Sequence, residues 1–245
     1  MTQPTKADSR WVDATVVRIE HRTPHVVSLF VSADIVPYEA GQHVDVRLTA
    51  PDGYRAQRSY SIASAPRAEL IELIVERLDE GEVSPYFHDV VQTGDVFEIR
   101  GPIGGHFVWT PEFAEPVLLV AAGSGAAPLI SILRHRLNTG SGGPMLLLYS
   151  ARTWEDVICR DELFAAEASD PDITVVLTIT RGQSDRADDF SQRIDATMIK
   201  ELLGNWGQSI GRVYVCGSND FVDTATTALI DSQVAVGIIR TERYG

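Results

Sequence analysis

The residues best suited to chemistry sit in short stretches that favour a ligand with a flat ring, a phosphate, or both. Arg58-Ser59-Tyr60-Ser61 heads a strand-like run, after a loop carrying Arg55. Side chains alternate along a strand, so Arg58 and Tyr60 share a face. A guanidinium and a phenol on one face can hold a phosphate and cover a flat ring together. The same residues also fit an ordinary edge strand with a solvated arginine and a half-buried tyrosine. Gly81-Glu82-Val83-Ser84 leads into a helical stretch, with Ser84 placed to cap its first turn and Pro85 at the first helical position. Backbone N–H groups there suit an anion, and Gly81 allows close approach; a plain capped turn fits too. Residues 101–107 form a turn-dense segment that can line a flat ligand or close a barrel.

Further along, residues 117–121 run straight into Ala122-Gly123-Ser124-Gly125-Ala126-Ala127-Pro128 and then a helix. A strand–glycine turn–helix unit presents backbone N–H groups and a positive helix end to a pyrophosphate. The turn is not GxGxxG and lacks the lysine of a P-loop, and such turns also arise for packing. Val213-Tyr214-Val215-Cys216-Gly217-Ser218 ends a later strand. In open α/β sheets ligands gather at carboxyl ends of strands, so Cys216 is expected to face the same crevice as Gly123 to Gly125. A small buried cysteine is the plainer alternative.

The elements that must position these residues change period in mid-chain. Runs 15–20, 26–31, 43–48, 60–63, 70–77 and 96–100 are short and rich in Val, Ile, Leu and aromatics, with Pro and Gly between them. That spacing predicts a closed antiparallel barrel interrupted by one helix. After Pro111, apolar runs at 117–121, 145–149, 173–178 and 213–216 alternate with helical stretches near 127–137, 158–168, 196–203 and 220–233. That alternation predicts a parallel sheet covered on both faces. Domains are therefore expected at 1–112 and 113–245.

The chain has 245 residues and a net charge of −13, and its acidic residues are shared between the halves. Neither half is a basic arm, so nucleic acid and anionic membrane are poor partners. No apolar run approaches the ~20 residues of a membrane span, and no signal peptide is evident, so the expected location is cytoplasmic. Two cysteines, Cys159 and Cys216, suit a reducing compartment and are too few for a disulfide framework or a four-thiolate iron–sulfur cluster. The histidines are scattered, and the His21/His25 pair brackets Pro24, so no metal site is expected.

Taken together and in order, these segments resemble the ferredoxin–NADP reductase family over nearly the whole chain. The resemblance implies a two-domain fold, with a Greek-key antiparallel β-barrel for flavin followed by an α/β parallel-sheet domain for NAD(P). It implies FAD as cofactor, held through Arg58, Ser59, Tyr60, Ser61, Gly81, Val83 and Ser84. Arg58 would hold the pyrophosphate, Tyr60 would cover the isoalloxazine, and Ser61 would bond near N5. The nucleotide would use Gly123, Ser124, Gly125, Pro128, Cys216 and Gly217. Glu242-Arg243-Tyr244 resembles the family's acid-x-aromatic terminus, with Gly245 added. By that likeness Ser61, Cys216 and Glu242 are the catalytic candidates and Tyr244 shields the flavin face.

Arg152 and Arg181, with Thr180, follow neighbouring strands and can clamp a 2′-phosphate. They point to NADP over NAD, although Glu155 and Asp156 lie close by. The implied activity is hydride transfer from NAD(P)H to FAD and onward delivery to a separate ferredoxin, flavodoxin or oxygenase component. The alternatives are a reductase using flavin as a dissociable substrate and a non-catalytic flavin-binding regulatory module. An acidic acceptor would need a local basic patch, for which Arg47, Arg55, Arg58, Arg67 and Arg77 are the candidates.

Overall fold

The computed structural model describes residues 10–184 and 186–244. The chain divides into two compact units, Met1–Trp109 with Ile130–His135, and Thr110–Leu129 with Arg136–Gly245.

The first unit holds β1 (Val12–Thr23), β2 (Val26–Ala33), β3 (His43–Thr49), β4 (Arg55–Ser61), β5 (Ile71–Glu76), α1 (Ser84–Asp89) and β6 (Val96–Ile103). Their order in one antiparallel sheet is β4-β3-β6-β1-β2-β5. The two end strands meet at an Ile62–Leu73 bridge, which closes the barrel. Alternation does the sorting: Val44 and Val46 of β3 are fully buried while Asp45 and Arg47 point outward. Phe87 of α1 enters the core, edge-on to Phe97 at 5.0 Å between ring centres.

Two expectations need correction here. The run read as a strand at 60–63 is instead the end of β4 and a turn away from it. Ile62 donates to the Gln42 carbonyl and Ala63 to the Glu72 carbonyl, so the chain leaves β3 to close on β5. Nor does Ser84 cap α1. Val83 occupies the cap position, and the Ser84 hydroxyl instead accepts from Leu78 N–H at 3.0 Å.

One stretch of this unit is charged and buried. Glu72 is 1% exposed. Its carboxylate takes Arg22 at 2.9 Å, Ser28 at 2.6 Å and Arg134 at 2.5 Å. Burial pushes its carboxyl up, but Arg134, Ser28 and Arg22 outweigh that and hold it below the ordinary carboxylate range. The same cluster fastens the turn after β4. Arg134 donates to the Ala63 carbonyl, Ser131 to the Ser64 carbonyl, and Tyr38 to the Ala65 carbonyl.

The second unit holds β7 (Val117–Ala122), a 3₁₀ turn (Gly123–Gly125), β8 (Met145–Ala151), α3 (Arg160–Ser169), β9 (Ile173–Ile179), α4 (Ala196–Trp206), β10 (Arg212–Ser218), α5 (Asn219–Asp231) and β11 (Ile239–Tyr244). The helix α2 (Ala126–Thr139) begins and ends in this unit, while its middle belongs to the first. The sheet is parallel, in the order β11-β10-β7-β8-β9. Met198, Ile199 and Leu202 of α4 and Val222, Ala225 and Leu229 of α5 pack on Leu118, Val120, Val213 and Val215. Asp195 caps α4 through Met198 N–H, and Ser218 caps α5 through Phe221 N–H. The strand β11 is an addition to the sequence reading. Its run Ile-Arg-Thr-Glu-Arg-Tyr has too few apolar residues to announce a strand, and pairing with β10 makes it one. Among the described residues no helix is long and apolar enough to cross a membrane, and no group of three or more His, Cys, Asp or Glu side chains is placed to hold a metal.

Candidate flavin and nucleotide sites

In the first unit, β4 and the turn before α1 come together. Arg58 is exposed, and its Nη2 lies 3.6 Å from Oε2 of Glu82. Tyr60, two residues on, sits edge-on to Phe87 of α1 at 6.1 Å. Burial pushes its phenol far above the ordinary tyrosine value, so the ring stays neutral. Arg58, Tyr60 and the Gly81–Ser84 turn are thus neighbours, held by β4 on one side and α1 on the other. Ser59 faces the other way and donates to Asp45 at 2.7 Å, and Asp45 also takes Arg100 at 2.5 Å. Burial raises the Asp45 carboxyl, yet Arg100 and Ser59 hold it low, so the Ser59 hydroxyl is committed to a charged acceptor. Ser61 pairs with His43 across the β3–β4 ladder. In the turn, Gly81 N–H donates to the Leu78 carbonyl, and Val83 is fully buried. A Cβ on Gly81 would lie 3.0 Å from both the Leu78 carbonyl and the Ser84 hydroxyl.

A flavin phosphate suits this arrangement. An exposed guanidinium stands beside a glycine turn, with a neutral aromatic ring one strand repeat away. The candidate basic patch is less positive than its sequence suggests. Arg47 is bound by both oxygens of Glu98, at 2.7 and 2.5 Å, and Arg77 by Asp79 and Asp89.

In the second unit, the carboxyl ends of the parallel strands gather the nucleotide candidates. Gly123 takes a positive φ of +52°, and Tyr149 donates its hydroxyl to the Gly123 carbonyl at 3.0 Å. Gly125 packs directly on the end of β10: a Cβ there would lie 2.4 Å from the Cys216 carbonyl oxygen and 2.7 Å from Gly217 N. The turn, Cys216 and Gly217 are therefore one cluster, and Pro128 follows within the first turn of α2. Cys216 is 3% exposed. Burial, reinforced by the charge of Glu242 on the paired strand, pushes its thiol well above the ordinary range. Cys216 and Glu242 are direct partners in the β10–β11 ladder, and Tyr244 lies opposite Ser218. The Tyr244 hydroxyl donates to the Ala122 carbonyl at 3.2 Å, which sets this ring at the glycine turn. Gly245 lies outside the described residues.

Arg152 and Arg181 lie just past the ends of the neighbouring strands β8 and β9, joined by a bond from Arg181 N–H to the Arg152 carbonyl at 2.7 Å. Both side chains are exposed. Thr180 donates its backbone N–H and its hydroxyl to the Ala151 carbonyl. Sequence reasoning missed Tyr149, the buried phenol beneath the glycine turn, and Asp45, which holds Ser59. Tyr149 is signalled by a polar tip at the end of an otherwise apolar run. Asp45 carries no signal, since its partners come from other strands.

The family model described as an oxidoreductase FAD-binding domain matches residues 20–109. The one described as an oxidoreductase NAD-binding domain matches residues 119–227. Ferredoxin–NADP reductase B of Sorangium cellulosum is 34% identical over 216 residues, covering 86% of this chain and 87% of that protein. The ferredoxin–NAD(P)(+) reductase component of the naphthalene 1,2-dioxygenase system of Pseudomonas putida is 27% identical. Of that protein this chain spans 64%, which is less than two thirds of its length. Among solved structures, the flavohem-like FAD/NAD binding domain of nitric oxide dioxygenase from Vibrio cholerae superimposes with a TM-score of 0.83 at 22% identity, over 97% of this chain and 99% of that one. A ferredoxin NADP+ reductase from Neisseria gonorrhoeae with bound FAD and NADP gives 0.78 at 22%, over 96% and 99%. At such identities these two show the fold.

Proposed function

We propose that this chain, which belongs to the ferredoxin–NADP reductase family, moves a hydride from NADPH to bound FAD and passes the electrons to a separate acceptor protein. Bound FAD supplies the redox chemistry, accepting electrons as a pair and releasing them singly. The protein supplies position and charge. Arg58 holds a flavin phosphate in its guanidinium fork, helped by backbone N–H groups of Val83 and Ser84. Tyr60 covers the ring and Ser61 bonds to its reacting edge. Gly123, Ser124 and Gly125 receive the nucleotide pyrophosphate on backbone N–H groups at the start of α2. Cys216 stays a protonated thiol beside Glu242, so it packs as an apolar surface rather than as a charged nucleophile. Glu242 orients the nicotinamide or holds a proton nearby, and Tyr244 gives way when the nicotinamide arrives. The acceptor is a ferredoxin, a flavodoxin or an oxygenase component, and the location is the cytoplasm, where two buried cysteines outside any disulfide suit a reducing compartment.

The observation that carries this reading is the cluster of Gly125, Cys216 and Glu242 at the carboxyl end of the sheet, with Arg152 and Arg181 just past the ends of two adjacent strands. Two exposed arginines there favour a 2′-phosphate, hence NADPH. Anaerobic titration with NADPH and with NADH, following the flavin spectrum, is the test. Wild type is bleached by both and faster by NADPH. Arg152→Ala and Arg181→Ala each raise the KM for NADPH roughly ten- to a hundredfold, the worth of a lost charge-assisted bond, and change that for NADH less than about twofold. Equal use of both nucleotides by wild type refutes the arginine clamp. A second reading, in which flavin is a dissociable substrate, is favoured by one contact, that of Glu82 with Arg58.

A further inference from the structure

Glu82 stands against the arginine to which the flavin reading gives the phosphate. Its Oε1 accepts from the Tyr54 hydroxyl at 2.7 Å, and its Oε2 lies 3.6 Å from Nη2 of Arg58. The second distance is too long for a hydrogen bond, so Tyr54, not Arg58, keeps the carboxylate in place. Tyr54 is itself anchored. Its N–H donates to Asp52 at 3.0 Å and its carbonyl accepts from Ala50 N–H at 2.8 Å. The Arg58 guanidinium also donates to the neutral Gln57 carbonyl, at 2.6 Å. A tethered negative charge therefore faces the fork that an incoming phosphate must use.

We infer that Glu82 is a brake on flavin binding: its carboxylate, held by Tyr54, opposes a phosphate at Arg58 and makes flavin affinity weaker and dependent on ionic strength. The inference rests on the reading that Arg58 receives the flavin phosphate. With the phosphate in place, Glu82 has two courses. It can stay on Tyr54 and repel the phosphate, or swing out and lose the hydrogen bond. Both penalise the bound state. Like charges roughly 6 Å apart in a largely solvated setting, where the effective dielectric approaches that of water, are worth on the order of three- to tenfold in a dissociation constant. Because Arg58 and Glu82 are half exposed, at 53% and 50%, salt screens this opposition. A flavin that exchanges as a substrate, the second reading of the site, would then have a cause in one residue.

The test is the dissociation constant of the flavin-stripped full chain for FAD, read from quenching of flavin fluorescence. It is measured at salt of about 0.02 M and about 0.5 M, on either side of the ionic strength where the Debye length is ~10 Å. Glu82→Gln keeps an acceptor for Tyr54 and removes the charge. It is expected to tighten FAD roughly three- to tenfold at low salt, with the gap closing at high salt. Glu82→Asp retains the charge and is expected to stay on the wild-type side. Glu80→Gln removes the same unit of charge from an exposed neighbour and is expected to leave affinity unchanged. Arg58→Ala is expected to weaken it. If Arg58→Ala weakens FAD while Glu82→Gln changes nothing, or changes no more than Glu80→Gln, the brake is refuted and the flavin site stands. If Arg58→Ala has no effect, the site reading fails and takes the brake with it.

Discussion

The two units place their recognition chemistry in different parts of the chain. In the antiparallel unit it lies along the strands. Arg58, Ser59 and Tyr60 are consecutive on β4; Ser59 donates to Asp45 of β3, which in turn accepts from Arg100 of β6. One face of such a sheet meets solvent, so polar side chains are available in mid-strand. In the parallel unit the interiors of β7, β8 and β9 are almost wholly buried. Polar recognition there moves to strand ends and becomes largely a matter of backbone. The difference has a consequence for variation. A site made of side-chain charges can be tuned by degrees, as with Glu82, whereas a site made of close backbone contacts fails abruptly.

The sharpest way to break this contrast is Gly125→Ala. Its φ of −61° suits any residue, so the obstacle is contact alone. The new Cβ would meet the Cys216 carbonyl at 2.4 Å and its carbon at 2.6 Å, and backbone on one side must move. A displacement of about 1 Å in a positioned site can cost on the order of a hundredfold, so nucleotide reduction of the flavin should slow by about that much. Flavin content should be largely kept, since Arg58, Ser59, Tyr60, Ser61, Gly81, Val83 and Ser84 lie in the other unit. Reduction within about tenfold of wild type would mean that the backbone site yields by degrees after all.

The antiparallel unit has one charge that should not be tunable, Glu72. Glu72→Gln leaves Arg22 and Arg134 in a buried place without their shared counter-charge. Breaking a buried pair from one side costs about 3–5 kcal/mol, to be read from urea unfolding at neutral pH. The sign with pH follows from the lowered carboxyl. A group whose folded pKa lies below its unfolded value stabilises above about pH 4.3, and that contribution is lost as pH falls through the folded pKa. The gap between wild type and Glu72→Gln should therefore hold down to about pH 4 and close below it. A gap that does not narrow in acid would show that Glu72 acts by shape and hydrogen bonding, not by charge.

The legible parts of the molecule were those whose reason is local. Period two in the first half and apolar runs between helices in the second specify the two sheets, while Arg58-x-Tyr60 marks a strand face and Gly123-x-Gly125 a strand end. What stayed hidden depends on chain segments far apart. The tie of Glu72 to Arg134 spans 62 residues, and that of Tyr54 to Glu82 spans 28. The strand β11 was hidden for a related reason: Arg240, Thr241, Glu242 and Arg243 have no strand pattern without β10 beside them. Ser84 departs from the expected cap because a serine at a helix start has two uses: it stands one residue inside α1, and the N–H of Leu78 claims its hydroxyl.

The weakest expected effect tests whether charge matters at all where the parallel unit shows it on its surface. Arg243 of β11 meets Asp223 of α5 at 2.7 Å, with side chains 41% and 66% exposed. Arg243 holds the Asp223 carboxyl below its ordinary value. Exposed pairs exchange one favourable contact with water for another and hold two side chains still to do so. Asp223→Asn should therefore shift the melting temperature by no more than about 1 °C at physiological salt, and less at high salt. The edge strand has another anchor, the six paired positions from Val213–Ile239 to Ser218–Tyr244. A fall of several degrees, or a loss of nucleotide reduction comparable to that of Gly125→Ala, would mean that β11 relies on this pair to carry Glu242 and Tyr244. Charge would then set the geometry of the parallel unit as it does that of the antiparallel one.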